Sequence, residues 1–158
     1  MIREVPDKDI ERAINLVNTV FSEFVATDYS EQGRATFASY LKVKHQEVGA
    51  DLTSGRKRMW AYYHGDDIIG VIATQDVSHI SLMFVDKRYH RQGIAKQMFL
   101  FVLEVLKEDE NVTKITVNSS LYAVGAYEHL GFTKTAEQQE KDGILFVPMM
   151  RPLYSRRS

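Results

Sequence analysis

Apolar residues first recur at helical spacing: Ile10, Ala13, Ile14, Val17, Phe21 and Phe24 follow one another in steps of three and four after Pro6 and Asp7, which predicts an opening helix. A second helix is predicted over 31–48, entered near Ser30, with Phe37, Tyr40, Leu41 and Lys44 on one face and Gly33 weakening its first turn. The pattern then changes period. Residues 56–63 alternate, His64-Gly65-Asp66-Asp67 reads as a hairpin turn, and 68–74 is an apolar run, so two antiparallel strands are expected. Further along, the pattern predicts a strand over 78–85, a helix over 92–107, a strand over 112–117 and a helix over 121–130 stopped by Gly131. A closing hairpin of 132–137 with 145–151 follows, turning at Lys141-Asp142-Gly143. Helices and strands in this order imply an α/β fold, a mixed sheet with helices on both faces. In the helix over 92–107, Ile94, Met98, Phe101, Val102 and Val105 are the stripe expected to bury against the sheet.

The joint between the strand ending at Val85 and the following helix carries the most chemistry. There the chain reads Phe84 to Phe99, FVDKRYHRQGIAKQMF, an apolar strand followed by a basic loop with one glycine and an amphipathic helix. The unpaired N–H groups of a helix start and its partial positive charge form an anion site. Gly93 and Ala95 leave room for an approaching phosphate, and Lys87, Arg88, Arg91 and Lys96 surround it with positive charge, with Asp86 opposed to them. A single glycine in a strand-to-helix turn also serves as a plain tight turn. The three spaced glycines of a dinucleotide fingerprint and the Gly-Lys-Ser/Thr end of a Walker loop are both missing, because Gly93 is followed by Ile94, Ala95 and Lys96.

A second segment, Ile115 to Phe132 (ITVNSSLYAVGAYEHLGF), gives the first its meaning. Together the two resemble the GCN5-related N-acetyltransferase family. His90-Arg91-Gln92-Gly93-Ile94-Ala95 resembles that family's pyrophosphate loop, Gln/Arg-x-x-Gly-x-Gly/Ala, with His90 standing where Gln or Arg is usual. The ending Tyr127-Glu128-His129-Leu130-Gly131-Phe132 matches Tyr-Glu-x-Leu-Gly-Phe. The resemblance covers about residues 67 to 150, and the N-terminal third fits in order of elements more than in motifs. It implies a mixed, mostly antiparallel sheet of about six to seven strands flanked by about four helices. A single domain over 1–158 is implied, with 1–55 as a helical acceptor-side region and 56–152 as the sheet and cofactor site.

The resemblance also implies acetyl-CoA as cosubstrate, with the pyrophosphate held by His90, Arg91, Gln92, Gly93, Ile94, Ala95 and Lys96. Pantetheine would lie between two splayed strands against the backbones of Met83 and Val85, and the acetyl carbonyl would be polarised by a backbone N–H near Phe84 or Val85. Asn118 and Ser120 stand at the end of the second strand, where small polar side chains either cap the next helix or hydrogen-bond pantetheine. Tyr127 occupies the family's tyrosine position, where the phenol would hydrogen-bond or protonate the departing thiolate; without the motif it reads as a core tyrosine.

The reaction implied is transfer of acetyl to a primary amine, of a small molecule or a peptide, by direct attack in a ternary complex. A lysine-like amine of pKa about 10.4 is only about 0.04% neutral at pH 7, so a base or a water chain is expected. His79, Ser81, Asp76 and Glu23 are open candidates, each with a structural alternative, and Phe24, Tyr29, Phe37, Tyr40, Trp60 and Tyr62 either line an acceptor cavity or fill the core. A sensor that binds acyl-CoA without catalysis, and an unrelated nucleotide-binding domain, are the rival readings.

Composition narrows the chemistry. The 158 residues are 44% hydrophobic and 26% charged, enough to bury one core, and contain no cysteine, which excludes disulfides, thiolate zinc sites and an acyl-cysteine intermediate. A net charge of −1 offers no field suited to nucleic acid or an anionic membrane. No apolar run of about 18 residues exists and the N-terminus lacks a signal-peptide core, so a cytoplasmic protein is expected, with a homodimer compatible with the resemblance. His45, His64, His90 and His129 show no metal-ligand spacing, and no Gly-x-Ser-x-Gly elbow is present. The Arg156-Arg157 run reads as a solvated tail.

Overall fold

The computed structural model describes residues 1–25, 30–39 and 57–154. Eight strands form its sheet: β1 (Ile2–Glu4), β2 (Lys57–His64), β3 (Asp67–Gln75), β4 (His79–Val85), β5 (Lys114–Ser119), β6 (Thr133–Lys134), β7 (Gln139–Lys141) and β8 (Ile144–Pro152). Their order is β1-β2-β3-β4-β5-β8-β6, with the short β7 pairing β8 beside this path. Every pairing is antiparallel except that of β4 with β5. The helices are α1 (Ile10–Val20), extended by a π turn at Phe21–Val25; α2, helical over 31–39; α3 (Ile94–Leu106); and α4 (Val124–His129). The expected mostly antiparallel α/β sheet with helices on both faces is therefore present.

Strand alternation divides the apolar residues between two cores. Trp60, Ile69, Ile72 and Ile80 face α3 and α4, whereas Met59, Ala61, Val71, Ala73 and Leu82 face α1. Because both faces are covered, β3 reads as an apolar run, and its alternation survives only in which core each residue joins. On α1 the buried face is the expected one, Ile10, Ala13, Ile14 and Val17, completed by Val20.

Three local readings change. The buried face of α3 is Ile94, Met98, Phe99, Val102, Leu103 and Leu106, with Phe101 39% exposed and Val105 at the margin of the core. The helix is apolar on nearly every side, so spacing alone allowed two stripes, and Phe99 rather than Phe101 packs inward against Phe132 at 5.5 Å. Second, β5 begins two residues late: Asp109 Oδ1 accepts the Asn111 N–H at 2.9 Å and Asp109 O accepts the Val112 N–H at 3.1 Å, which curls this segment into a turn. Third, the closing strand is split between β6 and β7. Thr135 N–H donates to Pro148 O at 2.9 Å, but Pro148 has no N–H to return, and the ladder resumes only at Gln139↔Phe146. The predicted helix beyond residue 39, with Tyr40, Leu41, Lys44 and His45, lies outside the described residues, as do Tyr29, Arg56 and the Arg156-Arg157 tail.

Candidate active site

Two strands that begin side by side and then part create the site. β4 and β5 pair only at His79↔Thr116 and Ile80↔Val117, after which both continue without pairing each other. A bulge between Ala73 and Thr74 shifts the register from Thr74↔Ile80 to Ala73↔Leu82, so that Ser81 is the extra residue of β4, and reverses the facing of the residues that follow. Asp86 N–H donates to Ile69 O at 2.8 Å, so the antiparallel alternation ties Phe84 and Leu82 to β3 and turns the N–H and C=O of Met83 and Val85 toward the gap. Of the two backbone groups expected to polarise an acyl carbonyl, Phe84 is thereby committed to the ladder, leaving that of Val85.

At the end of β4 the loop is fastened to itself. Asp86 accepts the Arg88 backbone N–H at 2.9 Å and pairs with its guanidinium at 3.2 and 3.0 Å. Arg88's hydrogen bond holds the Asp86 carboxyl below its usual range and pushes the guanidinium further up, so this cation is already paired with a carboxylate. His90 Nε2 lies 2.7 Å from Val85 O; a carbonyl can only accept, so this ring nitrogen donates and pins the loop to the strand end. Gln92 Nε2 reaches Arg88 O at 3.4 Å.

Gly93 then takes φ +77° as the residue preceding α3, with no side chain capping the helix. The first intrahelical bond is that of the Gln97 N–H to Gly93 O at 3.0 Å, leaving the N–H groups of Ile94, Ala95 and Lys96 open. A Cβ on Gly93 would meet nothing closer than Gln97 Nε2 at 3.9 Å, so the space before the helix is free. Unpaired amides, an open approach and the nearby Arg91 and Lys96 fit a pyrophosphate.

Tyr127 is placed from the other side. Ser120 Oγ accepts the Ala123 N–H at 3.2 Å and closes the turn that leads into α4, whose first turn has no side-chain cap, while Ser119 Oγ donates to Ser120 O at 2.7 Å. Gly131, at φ +92°, ends α4 with its N–H on Glu128 O at 3.0 Å. That reversal brings Phe132 edge-on to the Tyr127 ring at 5.4 Å. Tyr127 is 5% exposed, and burial pushes its phenol well above the ordinary value. Among the described residues its hydroxyl has no hydrogen-bond partner, yet no side-chain polar atom there is both sealed and unpartnered, so the hydroxyl borders open space.

Two cavities occupy the splay. The larger, about 730 Å³, is lined by Met83, Val85, His90, Arg91, Gly93, Ile94, Ala95 and Lys96, together with Tyr89 and one face of α4. The smaller, about 160 Å³, lies toward α1 and α2 and includes Asn118 and Ser120. Met83, Val85, Tyr122, Ala123 and Tyr127 line both, so the cavities adjoin along these residues. Of the expected site residues, only Gln92 lines neither. Sequence reading missed Tyr122, Ala123, Ala126 and Leu130, although their spacing around Tyr127 places them along its helical turn. Of the proposed bases, Ser81 lines the smaller cavity; His79 is held in the sheet with Nδ1 2.8 Å from Thr116 Oγ1, and neither Asp76 nor Glu23 lines a cavity described here. Of the aromatics, Phe37 lines the smaller cavity and Trp60 fills the core, with Tyr62 packed at its margin.

The profile of the acetyltransferase (GNAT) domain family matches residues 25–153, and the chain belongs to this family, whose cosubstrate is acetyl-CoA. UPF0157 protein YqkA of Bacillus subtilis (strain 168) is 26% identical over 103 residues, a match taking in 63% of this chain and only 30% of that relative's length. The fold is similar to that of a GCN5-related N-acetyltransferase from Rhodopseudomonas palustris (TM-score 0.78, 15% identity, covering 97% of this chain and 95% of that one). It is also similar to the PaiA N-acetyltransferase from Thermoplasma acidophilum, solved in complex with coenzyme A (TM-score 0.76, 16% identity, covering 96% and 98%). Among the described residues no helix is long and apolar enough to cross a membrane.

Proposed function

We propose that this protein transfers the acetyl group of acetyl-CoA to a primary amine by direct attack within a ternary complex. The observation that carries this reading is the meeting of the two cavities along Tyr127, Met83 and Val85. The α3 N-terminus would hold the pyrophosphate, and the Met83 and Val85 main chains would pair with pantetheine amides and orient the thioester. An amine arriving through the smaller cavity would then reach the acyl carbon from the other end. Asn118 and the Ser120 hydroxyl, which accepts the Ala123 N–H and keeps its own proton to donate, complete the polar rim.

Tyr127 acts on the leaving sulfur in this scheme. A thiol of pKa about 8.5 and an unperturbed phenol of about 10 already make full proton transfer uphill by roughly 2 kcal/mol, and burial of Tyr127 widens the gap. Its role is therefore to donate a hydrogen bond to the thiolate as the C–S bond lengthens, while the amine's proton leaves to solvent. With no cysteine in the chain, no thioester can form on the enzyme by that route.

Intact-mass spectrometry with acetyl-CoA tests this, alone and with a mixture of primary amines. The expected result is an unmodified protein without amine, and release of free CoA with formation of N-acetyl product when amine is added. Tyr127→Phe should lower kcat by about 10²-fold or more while leaving acetyl-CoA affinity unchanged. Stoichiometric acetylation of the protein without amine would contradict direct attack, and full activity in Tyr127→Phe would contradict the role of the phenol.

A further inference from the structure

The smaller cavity has walls of a definite chemistry. Val20, Phe37, Ile80, Leu82, Phe84 and Val117 supply its apolar part, Ser81, Asn118 and Ser120 a neutral polar part, and none of its described lining residues is an aspartate, glutamate, lysine or arginine. Phe37 is set there by a close contact between distant segments. Ser30 Oγ accepts the Gly33 N–H at 3.1 Å and donates to Gly143 O at 3.2 Å. Thr36 Oγ1 lies 3.0 Å from Asp142 O. Gly33 meets the β7–β8 turn so closely that a Cβ would fall 2.0 Å from Gly143 O. This contact fixes α2 against the hairpin, and one helical turn later Phe37 stacks on Phe21 with centroids 4.0 Å apart and planes 18° from parallel.

We infer that the acceptor is a monoamine carried on a compact apolar group and that Phe37 selects it; this rests on the acetyltransferase reading above. A cavity of about 150 Å³ lined by Leu, Ile and Phe suffices for a benzene-sized guest, and this mostly apolar one measures about 160 Å³. An apolar environment favours the neutral form of an amine, the form that attacks. A monoamine leaves its only charge behind as a proton released to solvent. A polycation would bring further charges against walls that offer, among the described residues, no carboxylate to pair with them.

Initial rates of CoA release with 2-phenylethylamine, isoamylamine, ethanolamine, spermidine and kanamycin would decide the matter, measured for the wild-type protein, Phe37→Ala, Phe37→Leu and Gly33→Ala. The wild type should show a kcat/KM for the two apolar amines at least about 10-fold above that for the other three. Phe37→Ala should remove most of this preference through KM, with acetyl-CoA Kd held within about twofold; Phe37→Leu should restore part of it, and Gly33→Ala should weaken it by displacing the helix. Preference for spermidine or kanamycin, a Phe37→Ala loss equal for all amines, or acetyl-CoA binding without turnover of either apolar amine would overturn the inference while the cosubstrate reading stands. Failure to bind acetyl-CoA would overturn both.

Discussion

Tyr127 and Tyr63 are both buried tyrosines, yet their hydroxyls have opposite surroundings. Tyr63 donates to Asp9 Oδ2 at 2.8 Å, and that bond helps hold the Asp9 carboxyl below its usual range while raising the phenol, whose shift is led by burial. Tyr127 has burial alone to raise it and a hydroxyl left to the cleft. The phenol therefore stays protonated across the neutral range. A pH–rate profile of kcat should show no limb from Tyr127 below about pH 10, and Tyr127→Phe should lower the profile without moving its inflections. The linkage runs the same way: the unfolded phenol ionises near pH 10 and the folded one above it, so folding stability falls as pH rises past about 10. Tyr127→Phe should flatten that alkaline loss, as thermal unfolding between pH 8 and 11 would reveal.

The strand-to-helix joint shows what an element adds to its residues. Its open helix N-terminus was legible because the determinants are local: one glycine, small neighbours and an amphipathic helix within a short span. The role of His90, the position where the chain departs from the family pattern, was not legible, because its partner is the carbonyl of Val85 and a loop's folding back onto its own strand leaves no periodic trace. Gly93→Ala should strain a left-handed position by about 1 kcal/mol or more and place a methyl group in the phosphate approach. Calorimetry should show acetyl-CoA binding weakened by about 10-fold or more, with Tm lower by a few degrees. His90→Ala should release the loop from β4 and also weaken acetyl-CoA binding, while kcat at saturation stays near the wild-type value. Loss of kcat with affinity intact would contradict this role. The α3 stripe held at Ile94, Met98 and Val102 and missed at Phe101 for a different reason: Leu100 and Phe101 are exposed although apolar, so the helix carried more apolar positions than its buried face could use.

Across the whole molecule, two cores are separated by a sheet whose halves join at only two residue pairs of β4 and β5. That sparse junction opens the cleft between the cavities, and it follows from β4 and β5 parting while each stays bonded to its other neighbour, β3 or β8. The cavity proposed for the cosubstrate could be read from sequence because two contiguous segments line it. The acceptor side could not, because Val20, Phe37, Leu82 and Asn118 come from four elements and meet only after the sheet and helices have packed. Gly33 shows the same limit: in sequence it weakens a helix, and in the fold it permits the contact with Gly143 that positions the helix.

The central claim is that this cleft binds acetyl-CoA, and thermal unfolding with acetyl-CoA, NAD or ATP tests it without any choice of acceptor. At a hundredfold excess over Kd, acetyl-CoA should stabilise the fold by about 2.7 kcal/mol, raising Tm by roughly 5 to 10 °C, with no comparable shift from NAD or ATP. No shift with acetyl-CoA, or a larger one with either nucleotide, would contradict the account.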